Sequence, residues 1–175
     1  GDEVITSPIS FIASASSIIH LGAKPVFVDV KEDLNIDPDL IEKAITKKTK
    51  AIMPVHLSGS PCNMKKILAV AKKYNVQVIE DAAQAIGTKY RNKFVGTFGK
   101  IGCFSAHPLK NLNAMGDSGY IVTNDSNFAK KAKLYRNHGI EKRNKISSFG
   151  LVSRMDNIQA AVLNIRFKKL SKVIK

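Results

Sequence analysis

Ala51-Ile52-Met53-Pro54-Val55, then Ile67-Leu68-Ala69-Val70-Ala71, then Val76-Gln77-Val78-Ile79-Glu80-Asp81: the order of these three pieces decides the fold. The first and last are short apolar runs rich in β-branched residues, the pattern of strands buried on both faces. The middle piece has helical spacing, and Asn63 stands where a capping side chain belongs. Strand, helix and strand in so short a span predict a parallel βαβ unit with a right-handed crossover.

The alternation continues on both sides. Toward the N-terminus, Val4-Ile5 reads as a strand closing into Thr6-Ser7-Pro8. Ser10 is placed to cap a helix from Phe11 to about Leu21, with Gly22 as its stop. Pro25-Val26-Phe27-Val28-Asp29-Val30 reads as a strand covered on both faces, and Asp37 as the cap of a helix carrying Leu40, Ile41, Ala44 and Ile45. Toward the C-terminus, Thr88 to Gly99 reads as a hairpin with Arg91-Asn92-Lys93 at its tip. Strands follow at Ile101–Ser105 and Tyr120–Thr123, and Asp125 or Ser126 caps the next helix. Asn137 to Ser148 reads as loop, and a long helix starts at Asp156. The expected fold is α/β, a mainly parallel sheet with helices on both faces.

Bulk properties narrow the function. The chain has 175 residues, 44% apolar and 24% charged, which suits one domain with one sizeable core. No apolar run approaches the ~20 residues of a membrane helix. Two cysteines, Cys62 and Cys103, are too few for a disulfide framework and lie outside any metal-ligand spacing, so no metal and a cytoplasmic setting are expected. The net charge of +14 permits polyanion binding. Its pairs, such as Lys65-Lys66 and Lys72-Lys73, sit beside helical apolar stripes without interleaved aromatics. They read as solvated helix faces, not as a nucleic-acid surface.

Ligands of parallel sheets bind beyond the carboxyl ends of the strands, so polar residues there are the candidates. Asp81 directly follows a buried strand and must be hydrated, paired or opposite a cation. Capping a short helix over Ala82–Ile86 would also account for it. Gln84 shares its side if that segment is helical. Ser105 closes the strand before the loop Ala106-His107-Pro108-Leu109-Lys110-Asn111, where it could donate to an anion or make a local turn bond. Lys110 taken alone is better explained as a surface lysine. A lysine, an aspartate and an anion donor at the strand ends of one sheet suit pyridoxal phosphate. That cofactor needs an amine, an acidic partner for its ring nitrogen, and donors for its phosphate.

The motifs in order resemble the DegT/DnrJ/EryC1/StrS sugar aminotransferases, within the fold-type I pyridoxal-phosphate enzymes. They are Gly1-Asp2-Glu3-Val4-Ile5, Gly22-Ala23-Lys24-Pro25-Val26-Phe27-Val28-Asp29, Thr49-Lys50-Ala51-Ile52-Met53-Pro54-Val55-His56, Glu80-Asp81-Ala82-Ala83-Gln84-Ala85, Ser105-Ala106-His107-Pro108-Leu109-Lys110, Gly116-Asp117-Ser118-Gly119, Arg136-Asn137-His138-Gly139 and Ile158-Gln159-Ala160-Ala161. The resemblance implies a three-layer large domain with a mainly parallel sheet. It implies Lys110 as the Schiff-base lysine and proton carrier, Asp81 as partner of the ring nitrogen, and Gln84 near the ring hydroxyl. Ser105 would donate to the phosphate and Phe11 would stack on the ring, although an aromatic at a helix start also suits a core.

Two departures stand out. Gly150-Leu151-Val152-Ser153-Arg154 carries Val152 where the family usually has an asparagine reaching a neighbouring subunit's cofactor, and Gly116-Asp117-Ser118-Gly119 replaces a commoner glycine-richer form. Some relatives with histidine at the lysine position are dehydrases, a branch that Lys110 argues against. The resemblance also implies that residues 1–175 are the central part of the large domain, without the preceding phosphate-binding segment and the following small domain. The implied activity is transfer of an amino group, usually from glutamate, to a keto group of a nucleotide-linked sugar, in a homodimer. A non-catalytic, regulatory relative on the same scaffold is the alternative.

Overall fold

The computed structural model describes residues 1–174. In chain order the elements are β1 (Glu3–Thr6), α1 (Ile12–His20), β2 (Lys24–Phe27), α2 (Pro38–Ala44), β3 (Thr49–Met53), α3 (Met64–Tyr74) and β4 (Gln77–Asp81). A small hairpin, β5 (Lys89–Tyr90) and β6 (Lys93–Phe94), leads to β7 (Ile101–Ser105) and β8 (Gly119–Val122). Then come α4 (Ser126–Tyr135), a second hairpin of β9 (Ile140–Lys142) and β10 (Lys145–Ile146), α5 (Asn157–Phe167) and α6 (Leu170–Val173). Six strands form one sheet in the order β2-β1-β3-β4-β7-β8. Neighbours are parallel from β2 to β7, and β8 returns antiparallel beside β7.

Registry shows which face each helix covers. Val26, Ile5, Ile52 and Val78 are lateral partners and form one row. Ile5, Ile52 and Val78 pack there with Ile41, Met64, Ile67 and Ala71, so α2 and α3 cover that face. Each of the isoleucine, valine and methionine side chains contributes roughly 1.5–3 kcal/mol by leaving water. Side chains alternate along a strand, so Asp81 points to the opposite face from Val78 and Glu80. The Ser14 hydroxyl of α1 reaches Asp81, which puts α1 on that second face. The result is three layers, helix, sheet and helix, as the alternation predicted.

Several local expectations hold for physical reasons that can be seen. Asp37 accepts from Asp39 N, Asn63 from Lys66 N, and Asp125 from Asn127 N and Phe128 N, each satisfying free donors at a helix start. Arg91 and Asn92 take positive φ at the hairpin tip.

Others are corrected. Phe11, not Ser10, occupies the N-cap of α1, and the Ser10 hydroxyl instead donates to Phe11 O. The second strand ends at Phe27 and lies at the sheet edge, with Phe27 exposed, so it is not covered on both faces. Ala82–Ile86 is not helical. Ala85 N bonds to Ala82 O and Thr88 N to Ala85 O, two successive tight turns, the second with Gly87 at φ +82 as its third residue. The segment 137–148 is not simply loop, because it contains the β9–β10 hairpin. The last helix breaks at Lys168-Lys169, where Lys169 N bonds to Arg166 O, and Leu170 beyond the break is buried against the cluster of Leu112, Ala114 and Leu163.

Candidate active site

Parallel pairing of β4 with β7 brings their carboxyl ends to one edge, with Asp81 lateral to Cys103 and Ser105 two residues further on the same face. Asp81 is held firmly there. Its Oδ2 accepts from Ser14 Oγ at 2.8 Å and its Oδ1 from Ala83 N at 3.0 Å. Its backbone is fixed as well, with its N–H donating to Pro54 O and its carbonyl accepting from His56 N. The carboxylate therefore orients by bonds to α1 and its own turn, not by capping a helix.

Gln84 sits in the following turns. Its Oε1 accepts from Ser58 N at 2.6 Å, which turns the amide so that both N–H donors are directed away from that bond. Phe11 is 71% exposed, which rules out the core role. It stands three residues before Ser14, one turn along the helix face that meets Asp81.

The loop after β7 is built as a rigid unit. Ala106 N donates to Ser118 O and Ala114 N to Ala106 O, and Lys110 N closes a turn on His107 O. Asn113 Nδ2 donates to Pro108 O, and Met115 N donates to Gln159 Oε1 on α5 at 2.8 Å. Leu112 and Ala114 bury against Leu163 and Leu170, so the polar turn bearing Lys110 is clamped from below by an apolar cluster. Lys110 itself is half-buried and lines an open cavity of about 400 Å³ with Pro108, Asn113, Arg166 and Lys169. No hydrogen bond or ion pair among the described residues joins Lys110 to Asp81.

Two hydroxyls lie where the loop enters and leaves the sheet. Ser105 Oγ accepts weakly from His107 N at 3.3 Å. Ser118 precedes Gly119, the lateral partner of Ser105, and its buried Oγ has no partner. A buried hydroxyl without an acceptor is costly, and an anion at this edge would supply one. Two hydroxyls able to donate, an anchored carboxylate able to accept and an exposed aromatic are a set of groups that fits pyridoxal phosphate.

Three contributors escape a reading of the sequence. Ser14 sits in Ala13-Ser14-Ala15-Ser16-Ser17, where nothing separates one serine from the next. Ser118 appears only as a departure from a motif. The partners His56 and Glu80 are 24 residues apart, Glu80 within β4 and His56 just after β3, so nothing local marks them as a buried pair. Val152 pairs antiparallel with Asn137 and is exposed, while Arg154 donates to Asn137 Oδ1, so the segment carrying Val152 is folded onto the end of α4.

Among the described residues no group of three His, Cys, Asp or Glu is arranged to hold a metal ion, and no helix is long and apolar enough to cross a membrane.

The fold is that of a pyridoxal-phosphate-dependent aminotransferase large domain, and similarity to solved structures shows it. DesV of Streptomyces venezuelae, in complex with a ketimine intermediate, superposes with TM-score 0.94 at 41% identity, over 98% of this chain and 46% of that one. NtdA of Bacillus subtilis with bound cofactor PMP superposes with TM-score 0.91 at 40% identity, over 98% of this chain and 40% of that one. The model of the DegT/DnrJ/EryC1/StrS aminotransferase family matches residues 1–175, and the chain belongs to that family. Among curated relatives, a pleiotropic regulatory protein of Geobacillus stearothermophilus is 49% identical over 98% of this chain and 46% of its own length. The UDP-N-acetyl-3-dehydro-alpha-D-glucosamine 3-aminotransferase of Acidithiobacillus ferrooxidans is 46% identical over 98% of this chain and 47% of its own. The chain thus spans about half the length of the curated relatives it matches.

Proposed function

We propose that this chain forms the cofactor-binding part of an enzyme that transfers an amino group to a keto group on a nucleotide-linked sugar, for amino-sugar and surface-glycan synthesis. The observation that carries the reading is Asp81, fixed by two donors at the sheet edge that also holds the unpartnered Ser118 hydroxyl. Relatives named as 3-amino- and other sugar aminotransferases support the substrate class.

When bound, pyridoxal phosphate supplies an electron-accepting ring that stabilises negative charge on the substrate carbon. The residues of this chain divide the remaining work. Asp81 accepts the proton-bearing ring nitrogen as a hydrogen-bond partner and balances its charge. Gln84 offers its free amide N–H groups to the ring hydroxyl, and Phe11 covers a ring face. Ser105 and Ser118 donate to the phosphate. Lys110 is the amine that anchors the cofactor and, once released, takes and returns the proton at the substrate carbon. Glutamate serves as donor, and the working form is a cytoplasmic homodimer.

The test uses the full-length protein. Purified enzyme is expected to show the visible absorbance band of lysine-bound pyridoxal phosphate and to aminate a keto sugar nucleotide with glutamate. Lys110→Ala is expected to abolish both; a band that survives in this variant overturns the assignment of Lys110.

A second reading, a regulatory protein on the same scaffold, draws on Val152 and on the relative named as a pleiotropic regulator. It predicts a protein that gives no turnover with any keto sugar nucleotide in a panel, whether or not cofactor binds.

A further inference from the structure

Behind Asp81, on the opposite face of β4, lies a polar cluster that the proposed chemistry does not use. Glu80 and His56 are both fully buried, and His56 Nε2 lies 3.1 Å from Glu80 Oε2. His56 Nδ1 accepts from Cys62 N, so Nε2 carries the ring proton and donates it to the carboxylate. Glu80 takes three further donors, Gly96 N on Oε2, and Phe98 N and Gly99 N on Oε1, each at 2.7 Å. Four donors on one buried carboxylate make an anchor for the turn 96–99. A buried ion retained without an opposite charge needs this many partners.

That turn is the entry to β7, and β7 is the strand that leads into the Lys110 loop. It is also seated tightly. A side chain at Gly102 would run into the Gly96 backbone, and one at Gly99 would lie 2.5 Å from Val78 O. Lys100 N donates to Val78 O, and Asp81 pairs with Cys103 as a consequence. His56 grips from the other side, since its backbone N–H donates to Asp81 O at 3.0 Å. This pair of residues therefore ties β4, whose end carries Asp81, to the turn that feeds β7, and a slip of one residue between the two strands would turn every β7 side chain to the wrong face.

We propose that Glu80 and His56 are positioning residues which set the offset of β7 against β4, and so the place of the Lys110 loop relative to Asp81. The inference rests on the reading of Asp81 and Lys110 as cofactor ligands.

The test measures dissociation of pyridoxal phosphate and the wavelength of its bound absorbance band in the full-length protein. Glu80→Gln sets an amide N–H₂ against donors already present, and His56→Leu removes both bonds of the ring. His56→Gln can still donate to Glu80 and accept from Cys62 N. Ile67→Ala, remote in the α3 core, serves as the control for lost stability alone. We expect Glu80→Gln and His56→Leu to weaken cofactor binding at least tenfold and to shift the band, with His56→Gln within threefold of the parent. Ile67→Ala should lower the melting temperature without moving either quantity. If Glu80→Gln does not fold, the contrast between His56→Leu and His56→Gln decides. If His56→Leu does not fold either, His56→Asn takes its place, since its shorter amide cannot reach both Glu80 and Cys62 N; a tenfold loss is expected there, and affinity within threefold of the parent overturns the proposal. So does parental affinity in Glu80→Gln or His56→Leu. A parent protein with no lysine-dependent band would instead overturn the reading of Asp81 and Lys110.

Discussion

Ser14 and Asp81, sixty-seven residues apart in the chain, are joined by a 2.8 Å hydrogen bond from the serine hydroxyl to Oδ2. Helix α1 thereby takes part in orienting a carboxylate that belongs to the sheet. Losing one of two donors on a fixed carboxylate costs about 1–3 kcal/mol. Ser14→Ala is expected to weaken cofactor binding about five- to tenfold, at roughly 1.4 kcal/mol per decade. Ser14→Thr keeps the hydroxyl and should retain affinity. Titration of cofactor by absorbance or fluorescence checks both, and unchanged affinity in Ser14→Ala would show that Asp81 needs no help from α1.

Acid should loosen the chain at identifiable places. Lys100, hydrogen-bonded to Asp125, holds that carboxyl at about 2, with Phe128 N helping at the N-cap of α4. Burial pushes the Glu80 carboxyl up, but hydrogen bonds from His56, Gly99 and Gly96 outweigh it and leave the group below its usual value. Both are carboxyls depressed in the folded state, so the unfolded chain binds protons first as pH falls. Their contribution is complete above the ordinary carboxylate range and is lost as pH drops through the folded values. Lys100→Ala should therefore move the acid limb of unfolding toward higher pH, as followed by circular dichroism from pH 6 to pH 2.

The two thiols should be inert. Burial, with Asp33 and Glu80 adding to it, pushes Cys62 up to about 12, and burial followed by Asp81 and Glu80 pushes Cys103 up to about 11. Only the thiolate reacts at a useful rate. At pH 8 the folded protein is expected to take up iodoacetamide far more slowly than the urea-unfolded chain, as mass spectrometry would show. Rapid labelling of Cys103 in the folded protein would mean that the Asp81 side of the sheet is wetter than described.

The α3 layer should carry much of the stability. Ile67 is fully buried between the sheet and α2, and truncation of such a side chain costs about 2–5 kcal/mol. Asn63→Ala removes the bond to Lys66 N and should cost about 1 kcal/mol. The residues are close in sequence and share one helix, so the double variant should fall short of strict additivity. Urea denaturation of the three variants measures all of this.

Periodicity was enough for the sheet and helix order, because burial on both faces leaves a plain trace in short β-branched runs. It failed where the cause is not local. The strand at Pro25-Val26-Phe27 is as apolar as an inner strand yet lies at the edge, since strand order is invisible in a chain read one segment at a time. Ala82–Ile86 has helix-forming residues, but the Asp81 carboxylate takes Ala83 N and Gly87 adopts a positive φ, so turns form instead. The hairpin of β9 and β10 is exposed and short, with no apolar alternation to betray it.

The sequence by itself determined the class of fold, the family, and the presence of an aspartate, a glutamine, a serine and a lysine at strand ends. Those are properties of residue type and order, which the motifs display directly. Only the tertiary structure decided how these groups are held: Asp81 by Ser14, Gln84 by Ser58 N, and the Lys110 loop by Gln159 and by the packing of Leu112 on Leu163 and Leu170. Each of those partners is distant in the chain. The bonds exist because a parallel sheet gathers its strand ends on one edge, and short-range patterns carry no record of which neighbours that edge will bring.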